Sequence, residues 1–231
     1  MRNIGIVFKK QGKDTAKNIT VLIQFVIYPI VAAVMENAIH VEDLPENFFV
    51  GMFAVMHISM APLSAMAAVI SEEKEKNTMQ VLLYANVKPM EYLCGVGGFV
   101  FGACMIGSGV FAILGKYTGG DLLLFLLIMA AGTLTSILVG AAIGIRSRNQ
   151  ISATSVSMPV MMIIAFLPML AMFNRDIEKV ANFVYSQHIQ LLLNGLKTKT
   201  AAEPENVIVI VLNNAVAVGL FALAYRRKGL T

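Results

Sequence analysis

The chain has 231 residues, of which 57% are hydrophobic and only 14% charged, with mean hydropathy +0.73 and formal net charge +4. A soluble domain carries roughly 25% charged residues, and so little polar surface cannot cover so apolar a core in water. The composition excludes a soluble enzyme or binding module and points to one all-α integral membrane domain, residues 1–231.

Residues 1–18 place Ile4, Val7 and Phe8 at helical spacing, with Lys9, Lys10, Lys13 and Lys17 on the remaining arc. That is the pattern of an interfacial helix whose lysines face anionic headgroups. Six apolar runs of bilayer-crossing length follow, at 19–38, 47–70, 91–114, 121–145, 151–173 and 207–225. The first leads into Met35-Glu36-Asn37 with no small-residue cleavage site, so it reads as a retained span rather than a signal peptide. Strand-like alternation is absent, which argues against a barrel. Residues 174–206 make the longest outer connection. Their centre, 180–196, is too apolar for a solvated loop and too polar for a clean span, and reads as an outer re-entrant or interfacial hairpin broken near Gly195.

Six spans put both termini on one side. That side collects Arg2, Lys9, Lys10, Lys13 and Lys17, then Lys74, Lys76 and Lys88, then Arg146 and Arg148, then Arg226, Arg227 and Lys228. The other side holds Lys116, Arg175, Lys179, Lys197 and Lys199, together with acids such as Glu36, Glu42, Asp43, Glu46, Asp121 and Asp176. The positive-inside rule therefore predicts cytoplasmic termini in a multi-pass protein of the cell membrane. It also accounts for the basic charge without nucleic acid as a partner.

The spans carry almost no ionisable side chains, unlike proton relays and ion pathways. His40, His57 and His188 are scattered over different segments and predict no metal site; His57 reads as a packing histidine or, less simply, a cavity lining. Cys94 and Cys104, ten residues apart, lie about 15 Å apart along one helix, too far for a disulfide. Gly98-x-x-x-Gly102 and Gly140-x-x-x-Gly144 predict close packing within the chain. The fifth span bears Ser152, Ser155, Met158 and Met162 around Pro159. It reads either as a pliable translocation path, joined by Asn213 of the last span, or as a proline-kinked packing helix. Of Asn213 and Asn214, at least one is expected to bond between helices. Gly12-Lys13-Asp14 and Gly115-Lys116-Tyr117 lack the rest of a phosphate-binding loop, so no ATP hydrolysis by that route is expected, and no enzymatic activity.

Residues 71–90 stand apart. Glu72, Glu73, Lys74, Glu75 and Lys76 follow directly on the second span. Thr78 then opens a short helix with Met79, Leu82 and Leu83 on one face, and Pro89 marks its end. A simple connection needs only a few polar residues, so this elaboration implies a partner. The run Glu73-Lys74-Glu75-Lys76-Asn77-Thr78-Met79-Gln80-Val81-Leu82-Leu83 resembles the segment after the second span in type-2 permeases of ABC exporters. Asn77 stands where that pattern has glycine, and Gly95-Val96 replaces a common Gly-Lys.

The resemblance implies a permease subunit in which 71–90 forms a cytoplasmic coupling helix docked on a separate ATPase subunit. Glu72, Glu73, Lys74, Glu75 and Lys76 would contact that ATPase or brace the N-terminal helix, with Thr78, Met79 and Leu82 seating the coupling helix. It further implies a second permease copy, as homodimer or related heterodimer. No cofactor is expected in this chain, since ATP and Mg would belong to the partner. The sparse charge of the spans points to an amphipathic or apolar cargo such as a drug, an antimicrobial peptide or a lipid-like molecule. An immunity or sensor protein of the same fold, and an ATP-independent carrier, are the alternatives.

Overall fold

The computed structural model of the chain describes residues 2–39, 47–200 and 203–228. Among the described residues every regular element is a helix: α1 (Arg2–Lys17), α2 (Ile19–Ala38), α3 (Phe48–Glu75), α4 (Thr78–Tyr84), α5 (Pro89–Leu114), α6 (Gly119–Arg146), α7 (Gln150–Ala171), α8 (Arg175–Ala181), α9 (Tyr185–Thr198) and α10 (Pro204–Lys228). Helices α2, α3, α5, α6, α7 and α10 are long and apolar enough to cross a membrane, as the hydropathy predicts. One end of the bundle is basic: Lys10 reaches Glu73, Lys76 reaches Glu72, Lys74 reaches the end of α6, and Arg146 and Arg227 border one groove. Glu42, Asp43 and Glu46 of the expected outer acids, and His40, lie outside the described residues.

Helix α3 is the centre of the bundle, packed against α2, α5, α6 and α7. Of its apolar span 78% is buried, against 22% for α2 and α7 and 17% for α10. The outer helices therefore keep broad apolar faces turned away from the protein, a surface that lipid or a second membrane protein can cover and water cannot. The core is divided along the bundle. Val7, Met66, Ile70, Met79, Tyr92 and Ile145 pack together toward the basic face. Val50, Ile58, Phe111, Phe125, Tyr185 and Ile189 pack together at the far end.

The α3–α6 crossing owes its closeness to glycine. A Cβ on Gly140 would lie 2.3 Å from the Leu63 carbonyl oxygen, and one on Gly144 would lie 2.9 Å from Ile70. The expected seam at Gly98 and Gly102 is not formed: Gly102 faces open space, and the nearest neighbour of Gly98 is Phe8 at 3.8 Å. On α5 the close approaches occur instead at Gly95, where α1 rests through Val7 and Ile4, and at Gly107, against His57. His57 is fully buried, with Nε2 3.1 Å from the Cys104 carbonyl oxygen and its ring against Phe111. It is a packing histidine.

Between α7 and α10 the chain forms α8 and α9, but the break falls at 182–184 rather than near Gly195, which lies inside α9. The turn is held by His188, whose two ring nitrogens are 2.9 Å from the Asn182 carbonyl oxygen and 2.7 Å from Asn206 Oδ1. Pro168 has no N–H for the carbonyl of Ile164, and Ser186 Oγ donates to that carbonyl at 2.6 Å. Asn214 Nδ2 donates to the Ala131 carbonyl of α6 at 3.4 Å and Asn213 Nδ2 to the Phe183 carbonyl at 3.2 Å, so both asparagines reach beyond their own helix.

Gly140→Ala therefore forces the α3–α6 crossing apart and costs about 1–3 kcal/mol, whereas Gly102→Ala is close to neutral. Thermal melting of the two purified variants checks this; equal melting temperatures would contradict the assigned crossing.

Candidate functional site at the charged end of helix α3

Successive helical residues point about 100° apart, so the charged residues that end α3 reach in different directions. Each finds a partner of the sign it needs. Glu73, almost completely buried, accepts a hydrogen bond from Lys10 Nζ of α1 and lies beside the Tyr92 hydroxyl of α5. Lys74 Nζ donates at 2.6 Å to the carbonyl of Ile145, one residue before the end of α6. Glu75 Oε2 accepts at 2.9 Å from the N–H of Gln150, the first residue of α7. Lys76 folds back onto Glu72, one turn earlier, at 2.5 Å.

Helix ends explain the alternation of sign. The last carbonyls of a helix carry partial negative charge and its first N–H groups partial positive charge, neither having an intrahelical partner. Lys74 meets the negative end of α6 and Glu75 the positive end of α7. Lys10 also bridges Asp14 of its own helix at 3.3 Å. Burial alone would pull the Lys10 ammonium down, but the bond to and charge of Glu73, with Asp14 behind it, hold it above the ordinary lysine value of 10.5. A group raised in this way contributes its stability in full below the unfolded value and loses it only as pH rises through the folded one. The bridge is thus insensitive to pH across the neutral range.

The elbow after α3 depends on two asparagines. Asn77 takes φ +56° and Asn86 φ +59°, the left-handed region that glycine enters freely and asparagine tolerates best among the other residues. The departure from the expected glycine at 77 is thus conformationally equivalent. Thr78 Oγ1 donates to the Glu73 carbonyl at 3.2 Å and fixes the start of α4. Met79 is buried and Leu82 packs on the same core, while the side chain of Leu83 lies outside the described residues. The opposite face of α4 carries Val81, 65% exposed, and Tyr84, 86% exposed. Beyond the elbow, Glu91 Oε2 accepts from the Lys88 N–H at 3.0 Å and from Asn3 Nδ2 of α1 at 2.9 Å. Helix α1 therefore clamps both limbs of the elbow.

All eight residues expected at this site lie within it; Glu73 turns inward and braces the N-terminal helix through Lys10, while Lys74, half-buried, and Glu75, exposed, bind the ends of α6 and α7. The outward pair Val81 and Tyr84 went unnoticed in the sequence, although they are simply the complement of the Met79–Leu82 stripe. The residues expected along a translocation path are not united within one chain. Ser155, Met158 and Met162 are exposed on α7, and Ser152 borders a groove against α6 and α10. Asn213 belongs to the far end, bonded to the Phe183 carbonyl. Thr154, Ser155 and Ser157 donate to the carbonyls of Gln150, Ile151 and Thr154 in their own helix.

A central apolar helix that ends in a charged hub, with a short helix held against it and five further helices long and apolar enough to cross a membrane around it, defines a multi-pass membrane protein. The family model described as ABC-2 family transporter protein matches residues 11–225, and the chain belongs to that family. Its members are in general non-catalytic membrane subunits that work with an ATPase partner. No curated protein matches the chain.

The hub makes an asymmetric prediction. Lys10→Met strands a buried carboxylate, whereas Glu73→Gln removes the charge along with its need for a partner. Lys10→Met should therefore lower the melting temperature more than Glu73→Gln, and the double variant should recover part of the loss. A double variant no more stable than Lys10→Met alone would contradict this.

Proposed function

We propose that this chain is the permease subunit of an ATP-driven exporter of the cell membrane, with both termini in the cytoplasm. In this reading α4 is the coupling helix that docks on a separate ATPase subunit, α1 is an interfacial helix, and 174–206 form the outer re-entrant hairpin. The observation that carries the proposal is the pose of α4. Met79 and Leu82 seat one side of this short helix on the core at the end of α3, and its other side presents Tyr84 and Val81 to the basic face. An exposed tyrosine is a typical anchor for a protein partner.

Two permease copies and two ATPases would complete the transporter, with ATP and Mg held by the ATPases. Closure of the ATPases would push on α4. Through Lys74 and Glu75 that push reaches the ends of α6 and α7 directly, without relying on a flexible loop. The apolar outward faces of α2 and α7 support a second copy as their cover, and Ser152, Ser155, Met158 and Met162 then lie where a shared path would run. The mixed hydroxyl and thioether surface fits an amphipathic or apolar cargo. Asn213, committed to the turn at Phe183, leaves that set.

The test uses the chain co-expressed with a separately encoded ATPase. Val81→Asp and Tyr84→Ala should each weaken the complex about tenfold or more and lower transport-linked ATP hydrolysis, with the melting temperature of the permease unchanged. Complex formation indifferent to both substitutions would remove α4 as the docking element.

A further inference from the structure

Helices α7 and α10 both pack on α6, and toward the basic face they leave a groove of about 660 Å³ between them. Its floor is α6, through Val139, Ala142 and Ile143, and its walls are Ser152, Val156 and Val160 of α7 and Leu220, Leu223 and Ala224 of α10. These positions recur at three- and four-residue intervals, so each helix gives the groove one continuous stripe. The stripe on α7 runs from Ser152 to Val160, about 12 Å along the helix, most of the roughly 15 Å that one leaflet contributes to the hydrocarbon core.

The groove is polar at one end only. Arg146 closes the α6 stripe and Arg227 the α10 stripe, with Ser147 and Ser152 beside them. Ser152 sits in the first turn of α7, its N–H capped by Asn149 Oδ1. No acidic residue is among those that line the groove. Two guanidiniums and the Ser152 hydroxyl at the membrane boundary, above an apolar trough of leaflet depth, match one molecule end to end. Basic pockets between membrane helices hold anionic headgroups by this chemistry, and guanidinium binds phosphate in bidentate fashion.

We infer that the groove between α6, α7 and α10 seats an anionic phospholipid of the leaflet on the basic face, its phosphate on Arg146 and Arg227 and an acyl chain along Val156, Val160 and Leu220. The bound lipid fills the space between α7 and α10 and steadies the end of α7 that Glu75 holds from the other side. The inference needs only that the chain lies in a membrane and does not depend on an ATPase partner.

The test is thermal melting of the full-length chain in neutral detergent with added lipid. Phosphatidylglycerol should raise the melting temperature by about 5 °C near saturation, and phosphatidylcholine and soluble sn-glycerol 3-phosphate should not. Arg227→Gln, at an exposed helix end, and Val156→Phe, which fills the trough and keeps both arginines, should each abolish the shift. Lys13→Gln on α1 should keep it. Equal shifts with both lipids would make the groove a seat for any apolar chain, or for a second copy, and would overturn the inference. A shift with glycerol phosphate as large as with the lipid would mean a free phosphate-ester site and would also overturn it. Loss in Arg227→Gln with retention in Val156→Phe would place a headgroup at the arginine but no lipid in the groove, and retention in both variants would put the anionic preference elsewhere on the surface.

Discussion

A carboxylate taken out of water at the end of a membrane helix is costly unless a cation meets it. Glu73 is that carboxylate, and Lys10 of α1 meets it. Around this pair the final turn of α3 is organised: Lys74 on the closing carbonyls of α6, Glu75 on the opening N–H of α7, and Lys76 on Glu72. Each contact is modest alone. Because they radiate from the most buried helix of the bundle, they bind the ends of α1, α3, α6 and α7 into one block, and the core formed by Val7, Ile70, Met79 and Ile145 backs it.

The short helix α4 takes its direction from that block. Asn77 and Asn86 turn the backbone through the left-handed region on either side of it, Met79 is buried beneath it, and Asn3 and Glu91 hold its far limb. The same turn of α3 that leads into α4 also touches the ends of α6 and α7, through Lys74 and Glu75. The chain's membership in the ABC-2 transporter family agrees with the proposal that α4 meets a separate ATPase subunit.

Much of this was legible in the sequence. The spans follow from hydropathy, since a bilayer demands long apolar helices, and the elbow stood out as a charged island between two of them. The individual roles within it were not legible, because alternation of glutamate and lysine does not say which helix ends lie alongside. The break in the 174–206 segment was misplaced for a related reason. Glycine within a helix costs about 1 kcal/mol, which the packing of α9 through Tyr185, Ile189 and Leu193 outweighs, and the actual turn at 182–184 is held by His188 from within the helix that follows. Glycine spacing likewise identified small residues but not the surfaces opposite them, so Gly140 and Gly144 proved to be a crossing while Gly102 did not. The residues expected along a path on α7 are not brought together, since one chain gives Ser155, Met158 and Met162 only an outward face.

The central claim is that the order of charges at the end of α3 is set by the helix ends it meets. The double exchange Lys74→Glu with Glu75→Lys tests it most directly, since composition and net charge are unchanged and only the order is reversed. The exchange sets an anion against the carbonyl end of α6 and a cation against the N–H end of α7. Measured by thermal or denaturant unfolding of the purified chain, it is predicted to cost at least about 1 kcal/mol and to shrink with added salt as the charges are screened. Stability equal to that of the natural order would contradict the account.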